Sequence, residues 1–527
     1  MRRRRSQDSR PFRRRRGCQG SFGHHAGRGG VSRDTLLAFL RTGAARSARP
    51  FLHCPDGRSF TYGDLDAQTA RLAQALQAKG VKPGDRVAVQ IEKCPEAVFL
   101  YLACLRMGAV YLPLNTAYTL AETTYFIKDA EPALMVAAPD CQADLAKLVP
   151  VVLTLDALAH DRFSPVFENS PLAKDDLAAI LYTSGTTGRS KGAMITLGNL
   201  TSNAITLADC WHFTESDVLL HALPIYHAHG LFVAINTVLV AGASMILLPR
   251  FDADAVLDVM KDATVMMGVP TFYTRLLAHP SLNRQSTHHM RLFISGSAPL
   301  LAQTHAEWRE RTGHAILERY GLTECQMNSS NPYEGERRPG SVGFPLEGVT
   351  LRITHPETGI ELAQGETGMI EVKGPNVCKG YWRNPDKTAL EFRADGFFIT
   401  GDLGLIDAEG YVHILGRAKD LVITGGFNVY PKEVEDEIGA LDGVLECAVF
   451  GLDHPDFGEA VTAALVPKPG ATLSEDGLLS ALQTRLARFK QPKRLLIVEE
   501  LPRNAMGKVL KSQLRDIYRG LYTHPTH

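Results

Sequence analysis

Leu177-Ala-Ala-Ile-Leu-Tyr182-Thr-Ser-Gly-Thr-Thr-Gly-Arg-Ser-Lys191-Gly192 joins an uninterrupted apolar run to a loop crowded with glycines, hydroxyls and cations. The apolar run reads as a buried strand. Glycines let backbone N–H groups approach phosphate oxygens, hydroxyls donate further hydrogen bonds, and Lys191 opposes the charge, so the loop suits a polyphosphate. Its spacing lacks the G-x-x-x-x-G-K-[ST] pattern and excludes a Walker loop. Taken alone, a Gly/Ser/Thr loop is more readily a flexible surface turn.

Outward from this loop the chain alternates between helical and strand patterns. Thr61 and Asp64 form a helix start ahead of Leu65, Leu72, Ala73 and Leu76, with Gly80 as the stop. Residues 86–91 read as a strand, Pro95 opens an apolar helix over 96–107, and 110–114 read as the next strand. Short apolar runs at 218–223, 265–269 and 291–295 repeat the pattern. This predicts an α/β fold with parallel sheets, whose strand-end motifs face a common crevice. The uncharged stretch 231–248 is long enough to raise the question of a membrane span. Asn236, Thr237, Gly242 and Ser244 interrupt it, so a helix ending near Gly242 and a strand over 244–248 are expected, with no membrane span.

After Gly340 shorter alternating segments at 350–353, 368–373 and 411–415 predict a β-rich region. Beyond Gly416, the segments 434–438, 444–451 and 460–466 predict a smaller α+β unit. The expected layout is a tail over 1–30, a large N-terminal domain of parallel α/β sheets with a β-rich subdomain over 31–416, a hinge at 417–420, and a small mobile C-terminal lid over 421–527.

The 527 residues, 45% of them hydrophobic, are enough for a large core and more than one domain. The formal charge is zero, but residues 1–30 hold ten arginines against the single acid Asp8. That segment is too poor in aliphatic residues to order itself by burial. It reads as a non-functional extension, with a transit peptide or an arm for an anionic surface as alternatives. The nine cysteines are scattered without a C-x-x-C pair, which argues against a disulfide framework or a zinc ribbon and for a reducing compartment. A cytoplasmic location is expected, or the mitochondrial matrix if the tail is a transit peptide.

The whole string 182–192 resembles the signature of the adenylate-forming superfamily, which includes acyl-CoA synthetases, luciferases and peptide-synthetase adenylation domains. The likeness extends over residues 33–515 and departs at Thr196-Leu197, where many members have Thr-His. Further motifs follow in the family's order. The resemblance implies that Thr183, Ser184, Gly185, Thr186, Thr187, Gly188 and Lys191 hold the phosphates of ATP. In Ser295-Gly-Ser-Ala-Pro299, Ser297 and Ala298 border the adenine and the acid. Glu318, Tyr320, Gly321 and Thr323 continue the nucleotide site, and Glu324, with Thr183, supports Mg²⁺, for which a carboxylate is the right hard ligand. Asp402 in Thr400-Gly-Asp402 matches the ribose carboxylate, assisted by Arg417. Lys419 occupies the pivot of Arg417-Ala-Lys-Asp420. Lys508, in Leu501-Pro-Arg-Asn-Ala-Met-Gly-Lys508, matches the catalytic lysine that offsets charge as a carboxylate attacks the α-phosphate. Gly425 and Gly426 are placed beside the coenzyme A thiol channel in a second domain orientation.

For the acid, the resemblance puts a pocket between Pro224-Ile-Tyr-His227-Ala-His-Gly230 and residues 295–299, lined by His227 and Ser297. Residues 269–275 and 327–345 resemble those of malonyl-CoA synthetases. A dicarboxylate keeps one carboxylate unreacted, and a bidentate arginine answers both its charge and its geometry. Arg275 is the first candidate and Arg338 the second. The implied reaction converts malonate or methylmalonate, ATP and coenzyme A to the acyl thioester, AMP and diphosphate, with Mg²⁺ as cofactor. The expected partners are therefore a small carboxylic acid, ATP and CoA, with no nucleic acid. A ligase for monocarboxylic acids, a module loading a carrier protein and a non-catalytic nucleotide-binding protein remain as alternatives.

Overall fold

Thr61 caps the Tyr62–Ala78 helix through a reciprocal pair: its hydroxyl accepts from the Asp64 N–H at 3.1 Å, and the Asp64 carboxylate accepts from the Thr61 N–H at 2.8 Å. The Pro95–Met107 helix packs beside it. Every residue of that helix except Glu96 is buried, which explains an apolar composition on all faces. Its one basic residue, Arg106, is 2% exposed and donates to the Asp66 carbonyl and carboxylate, Thr69, Asn169 and the Phe167 carbonyl. One guanidinium therefore ties both helices to the 167–169 segment.

The computed structural model describes residues 35–40, 44–158, 160–183, 190–504 and 507–522. The tail over 1–30 and the loop residues Ser184, Gly185, Thr186, Thr187 and Gly188 lie outside the described residues.

Two large sheets share the main core. In the six-stranded sheet, Leu134–Ala137, Arg86–Gln90, Val110–Pro113 and Leu177–Thr183 run parallel. In the nine-stranded sheet, Ser244–Leu247, Val218–His221, Val265–Gly268, Leu292–Ser295 and Leu317–Leu322 do the same. The strand that precedes the phosphate loop is paired antiparallel with the strand that follows it, Lys191–Thr196, with Thr183 opposite Lys191 and Tyr182 opposite Gly192. The return strand then enters the Leu197–Cys210 helix, capped by Thr196, and buried Leu197 fills a core position.

The 231–248 stretch comprises the end of a π-helical turn (His229–Ile235), the Asn236–Ala241 helix and the Ser244–Leu247 strand. Gly242, at φ 72°, makes the left-handed stop between the last two. Among the described residues no helix is long and apolar enough to cross a membrane.

The β-rich region is an antiparallel meander of Thr350–Thr354, Gly368–Lys373, Phe398–Ile406 and Val412–Arg417. The last part of the chain builds a five-stranded sheet on the long pair Val444–His454 and Gly458–Pro467, with a separate apolar cluster on each face. It meets the larger body through the Lys468–Glu307 ion pair at 3.1 Å, the contact of Gly439 with Leu301, and Gly507 against Thr271.

Replacing Arg106 by methionine keeps the volume but strands the buried acceptors it serves, and is expected to destabilise the chain by about 3 kcal/mol. Trp211 and Trp308 lie buried in the same core, so a lowered urea midpoint of intrinsic fluorescence reads this loss. An unchanged midpoint contradicts the role given to the network.

Candidate active site

The two shoulders of the phosphate loop, Thr183 and Lys191, are fixed by the hairpin register. Thr183 Oγ1 donates to Glu324 Oε1 at 3.3 Å. Lys191 Nζ donates to Glu391 Oε1 at 2.7 Å and lies 4.4 Å from the centre of the Tyr381 ring. The Tyr381 hydroxyl joins the two carboxylates, donating to Glu391 and approaching Glu324 Oε1 at 3.1 Å. Burial pushes the Glu391 carboxyl up, but hydrogen bonds from Lys191 and Tyr381 outweigh it and the net shift is downward. Glu391 and Tyr381 were missed in the sequence, where nothing links positions two hundred residues beyond the loop to it.

Asp402 and Arg417 stand opposite each other on adjacent strands of the meander. Arg417 Nε meets Asp402 Oδ1 at 2.8 Å, and Tyr320 donates its hydroxyl to Asp402 Oδ2. Burial opposes the Arg417 charge, but the Asp402 carboxylate prevails and raises its pKa. Lys508 comes to the same place from the C-terminal unit. Its loop is held by Arg503 Nη1 donating to the Gly507 carbonyl and by the Lys508 N–H donating to Asn504 Oδ1 at 2.9 Å. Burial, then the Arg417 charge, pulls the Lys508 ammonium down to about 8 against the pull of Asp402 and Asp420. Thr323 is half-buried, and Gly321 is required by packing, since a Cβ there would stand 1.7 Å from the Gln326 carbonyl oxygen. Glu318 is buried, accepts from the Gly340 N–H at 3.2 Å, and is pushed up to about 8 by burial.

On the acid side, Ser297 holds a left-handed φ of 70°, rare for a residue with a side chain. Its Oγ lies 3.2 Å from His229 Nδ1, so residues 224–230 and 295–299 do meet. The histidine that makes this contact is His229. His227 is half-buried, packs on Tyr226, and is pulled down to about 4 by burial. Ala298 is half-buried on the same loop. A cavity of about 240 Å³ adjoins the histidine segment, walled by Pro224, Ile225, Tyr226, Phe272 and Lys93.

Neither arginine nominated from the sequence is buried beside these histidines. Arg338 is corrected outright as a free cation: it pairs with Asp407 at 2.8 Å and stacks on Tyr411 at 4.0 Å, because the 338–343 turn packs along the Val412–Arg417 strand. Arg275 is exposed on the last turn of the Pro270–Ala278 helix, whose buried face is Phe272, Tyr273 and Leu276. The residue that sequence reading missed is Arg319, 3% exposed, between Glu318 and Tyr320.

Lys419 is exposed in the 3₁₀ turn Ala418–Asp420, which Arg515 clasps through Asp420 at 2.9 Å. Gly425 and Gly426, at φ 56° and 81°, form the two-residue turn between Val422–Thr424 and Phe427–Val429, a geometry that favours glycine at both places. That turn is on the surface, with Phe427 exposed.

A phosphate-loop hairpin, a carboxylate–arginine pair at the meander edge and a lysine brought over it from a separate C-terminal unit define an adenylate-forming enzyme. The chain belongs to the AMP-binding enzyme family, whose model matches residues 39–382, while the model of the AMP-binding enzyme C-terminal domain matches residues 433–508. It is an ATP-dependent acyl-CoA ligase. It is similar to the crystal structure of ATP-bound MatB from Rhodopseudomonas palustris, with 57% identity over 93% of this chain and 99% of that one and a TM-score of 0.90. The apo form of MatB gives 0.81, so the arrangement here is nearer the ATP-bound form. Feruloyl-CoA synthase of an Amycolatopsis species is 36% identical over 87% of this chain and 94% of its own. The malonate–CoA ligase of Arabidopsis thaliana is 34% identical over 87% and 85%.

The ammonium of Lys508 is lost as pH rises through about 8, so kcat/KM for ATP in ATP–pyrophosphate exchange is expected to fall above that pH. Lys508→Arg, whose charge does not titrate in this range, is expected to lose that descending limb even if its overall rate is lower. A wild-type profile that stays level well above pH 8 contradicts the assignment.

Proposed function

We propose that the chain joins malonate, or its methyl derivative, to coenzyme A in two steps at one site. In the first, a carboxylate oxygen of the acid attacks the α-phosphorus of ATP and diphosphate leaves. In the second, the thiolate of coenzyme A attacks the acyl carbon and AMP leaves. The observation that carries the adenylation chemistry is Lys508 over the Asp402–Arg417 pair, where an ammonium offsets charge that grows in the transition state. Asp402 accepts from the ribose hydroxyls and Arg417 keeps that carboxylate ionised and aimed. Thr183 and Lys191 serve the β- and γ-phosphates, Lys191 exchanging Glu391 for phosphate oxygens.

Glu324, with Thr183 beside it, offers the hard oxygen donors that Mg²⁺ prefers. When bound, Mg²⁺ would neutralise phosphate charge and assist diphosphate departure. Thioester formation requires a different face of the C-terminal unit, so residues 417–420 serve as the hinge. Rotation there brings the Gly425–Gly426 turn to the thiol channel, where the lack of side chains leaves room for the pantetheine arm.

The choice of malonate is supported by relatives that carry that activity in their names, from Arabidopsis thaliana and Mus musculus, and by the likeness of residues 269–275 and 327–345. The feruloyl-CoA synthase relative makes an aryl acid the control that matters. Purified protein with ATP, Mg²⁺ and coenzyme A is expected to turn over malonate or methylmalonate at least tenfold better in kcat/KM than acetate, octanoate or ferulate, about the discrimination that a charge-matched pocket provides. Equal or better turnover of ferulate or octanoate overturns the dicarboxylate assignment and leaves the ligase chemistry standing.

A further inference from the structure

Successive residues of a strand point to opposite faces, and the Leu317–Leu322 strand uses both. Glu318 and Tyr320 face the nucleotide side, where Tyr320 reaches Asp402. Arg319 therefore faces the other way, toward the histidine segment. Its guanidinium lies against Gly296: a Cβ on that glycine would stand 2.5 Å from the guanidinium carbon. His229 and Tyr273 are its electrostatic neighbours, and the Tyr273 hydroxyl is already committed to the Ile294 carbonyl.

The donors gathered here lack acceptors. Arg319 Nε and Nη2 and His229 Nε2 are buried without a hydrogen-bond partner, and among the described residues no carboxylate pairs with Arg319. Burial, then the charge of Arg319, pulls the His229 imidazole well below its ordinary range. With Ser297 Oγ at its Nδ1, the remaining Nε2 of this imidazole is free to donate. A buried guanidinium with no counter-charge is strongly unfavourable unless an anion completes it. The ligand that this group would complete has two oxygens, a negative charge and a place on the acid side of the strand.

We propose that Arg319, assisted by His229, binds the second, unreacted carboxylate of a dicarboxylic acid and is the residue that sets acid specificity. This assignment rests on the dicarboxylate reading above. It gives Gly296 a role as well, since any side chain there would displace the guanidinium.

The test uses the full-length enzyme and ATP–pyrophosphate exchange with malonate, succinate and butyrate. Wild type is expected to prefer malonate to butyrate. In Arg319→Met the malonate kcat/KM is expected to fall on the order of a hundredfold, chiefly through KM, because one partner of a buried charge pair is removed. Butyrate, which has no second carboxylate, is expected to lose much less, so the malonate-to-butyrate ratio collapses. Arg319→Lys keeps the charge but not the planar fork and is expected to fall between the two. Without acid, the melting temperature of Arg319→Met is expected to equal or exceed that of wild type, since an uncompensated buried charge is gone, and malonate is expected to raise the melting temperature of wild type only. A malonate-preferring wild type whose ratio is unchanged in both Arg319 variants overturns the Arg319 assignment alone, as does a ratio lost only in Arg275→Leu. A wild type that prefers butyrate overturns the dicarboxylate reading and this assignment with it. If Arg319→Met fails to fold, the malonate KM of Arg319→Lys decides, and an unchanged value overturns the proposal.

Discussion

In the proposed reaction a carboxylate that attacks a polyphosphate meets a centre of its own sign, and the cations proposed to offset this repulsion are what the rest of the site is arranged around. They come from distant parts of the chain: Lys191 from a hairpin, Arg417 from the edge of a four-stranded meander, and Lys508 from a loop of the C-terminal unit. Each is partly or wholly removed from water, where its field is least screened. Lys191 and Arg417 are matched to single carboxylates, Glu391 and Asp402, which hold them in place until a substrate anion or hydroxyl competes. Among the described residues Lys508 has no such dedicated partner. Its lowered pKa follows from approaching Arg417 in a buried place, the same proximity that suits it to a transition state richer in negative charge.

The strand Leu317–Leu322 divides the chemistry in two. One face carries Glu318 and Tyr320, whose hydroxyl reaches Asp402, and the other turns Arg319 to the histidine segment. Two anionic groups can thus be recognised by neighbouring residues without sharing the same cations. The left-handed Ser297 and the bare backbone of Gly296 lie where these two regions meet, which accounts for a loop that a bulkier sequence would not form.

Much of the fold was legible because its signals are local. The capping pair Thr61–Asp64, the proline opening the Pro95–Met107 helix and the glycine stop at 242 act within a few residues of themselves. The hairpin at 182–192 was less legible. An apolar strand followed by glycines has the same pattern whether it continues into a helix or turns back, and only the pairing of Lys191–Thr196 decides between them. Among the site residues, those in contiguous motifs, Thr183, Lys191, Glu324, Asp402, Arg417 and Lys508, converge in two linked groups. The arginines chosen for the acid did not fare as well, because charge type is visible in a sequence whereas a charge already spent on Asp407, as for Arg338, is not.

By itself the sequence determined the alternation of elements and the make-up of the phosphate loop, which depend on residue type and short spacing, while Arg417 and Lys508 were pointed to by resemblance to a family. The tertiary structure alone decided which cations have partners. Glu391 reaches Lys191 across two hundred residues of chain, Asp407 neutralises Arg338, and Arg319 is buried with no carboxylate paired to it among the described residues. The worth of a charge is set by its burial and its counter-charge, and both are properties of the packed molecule.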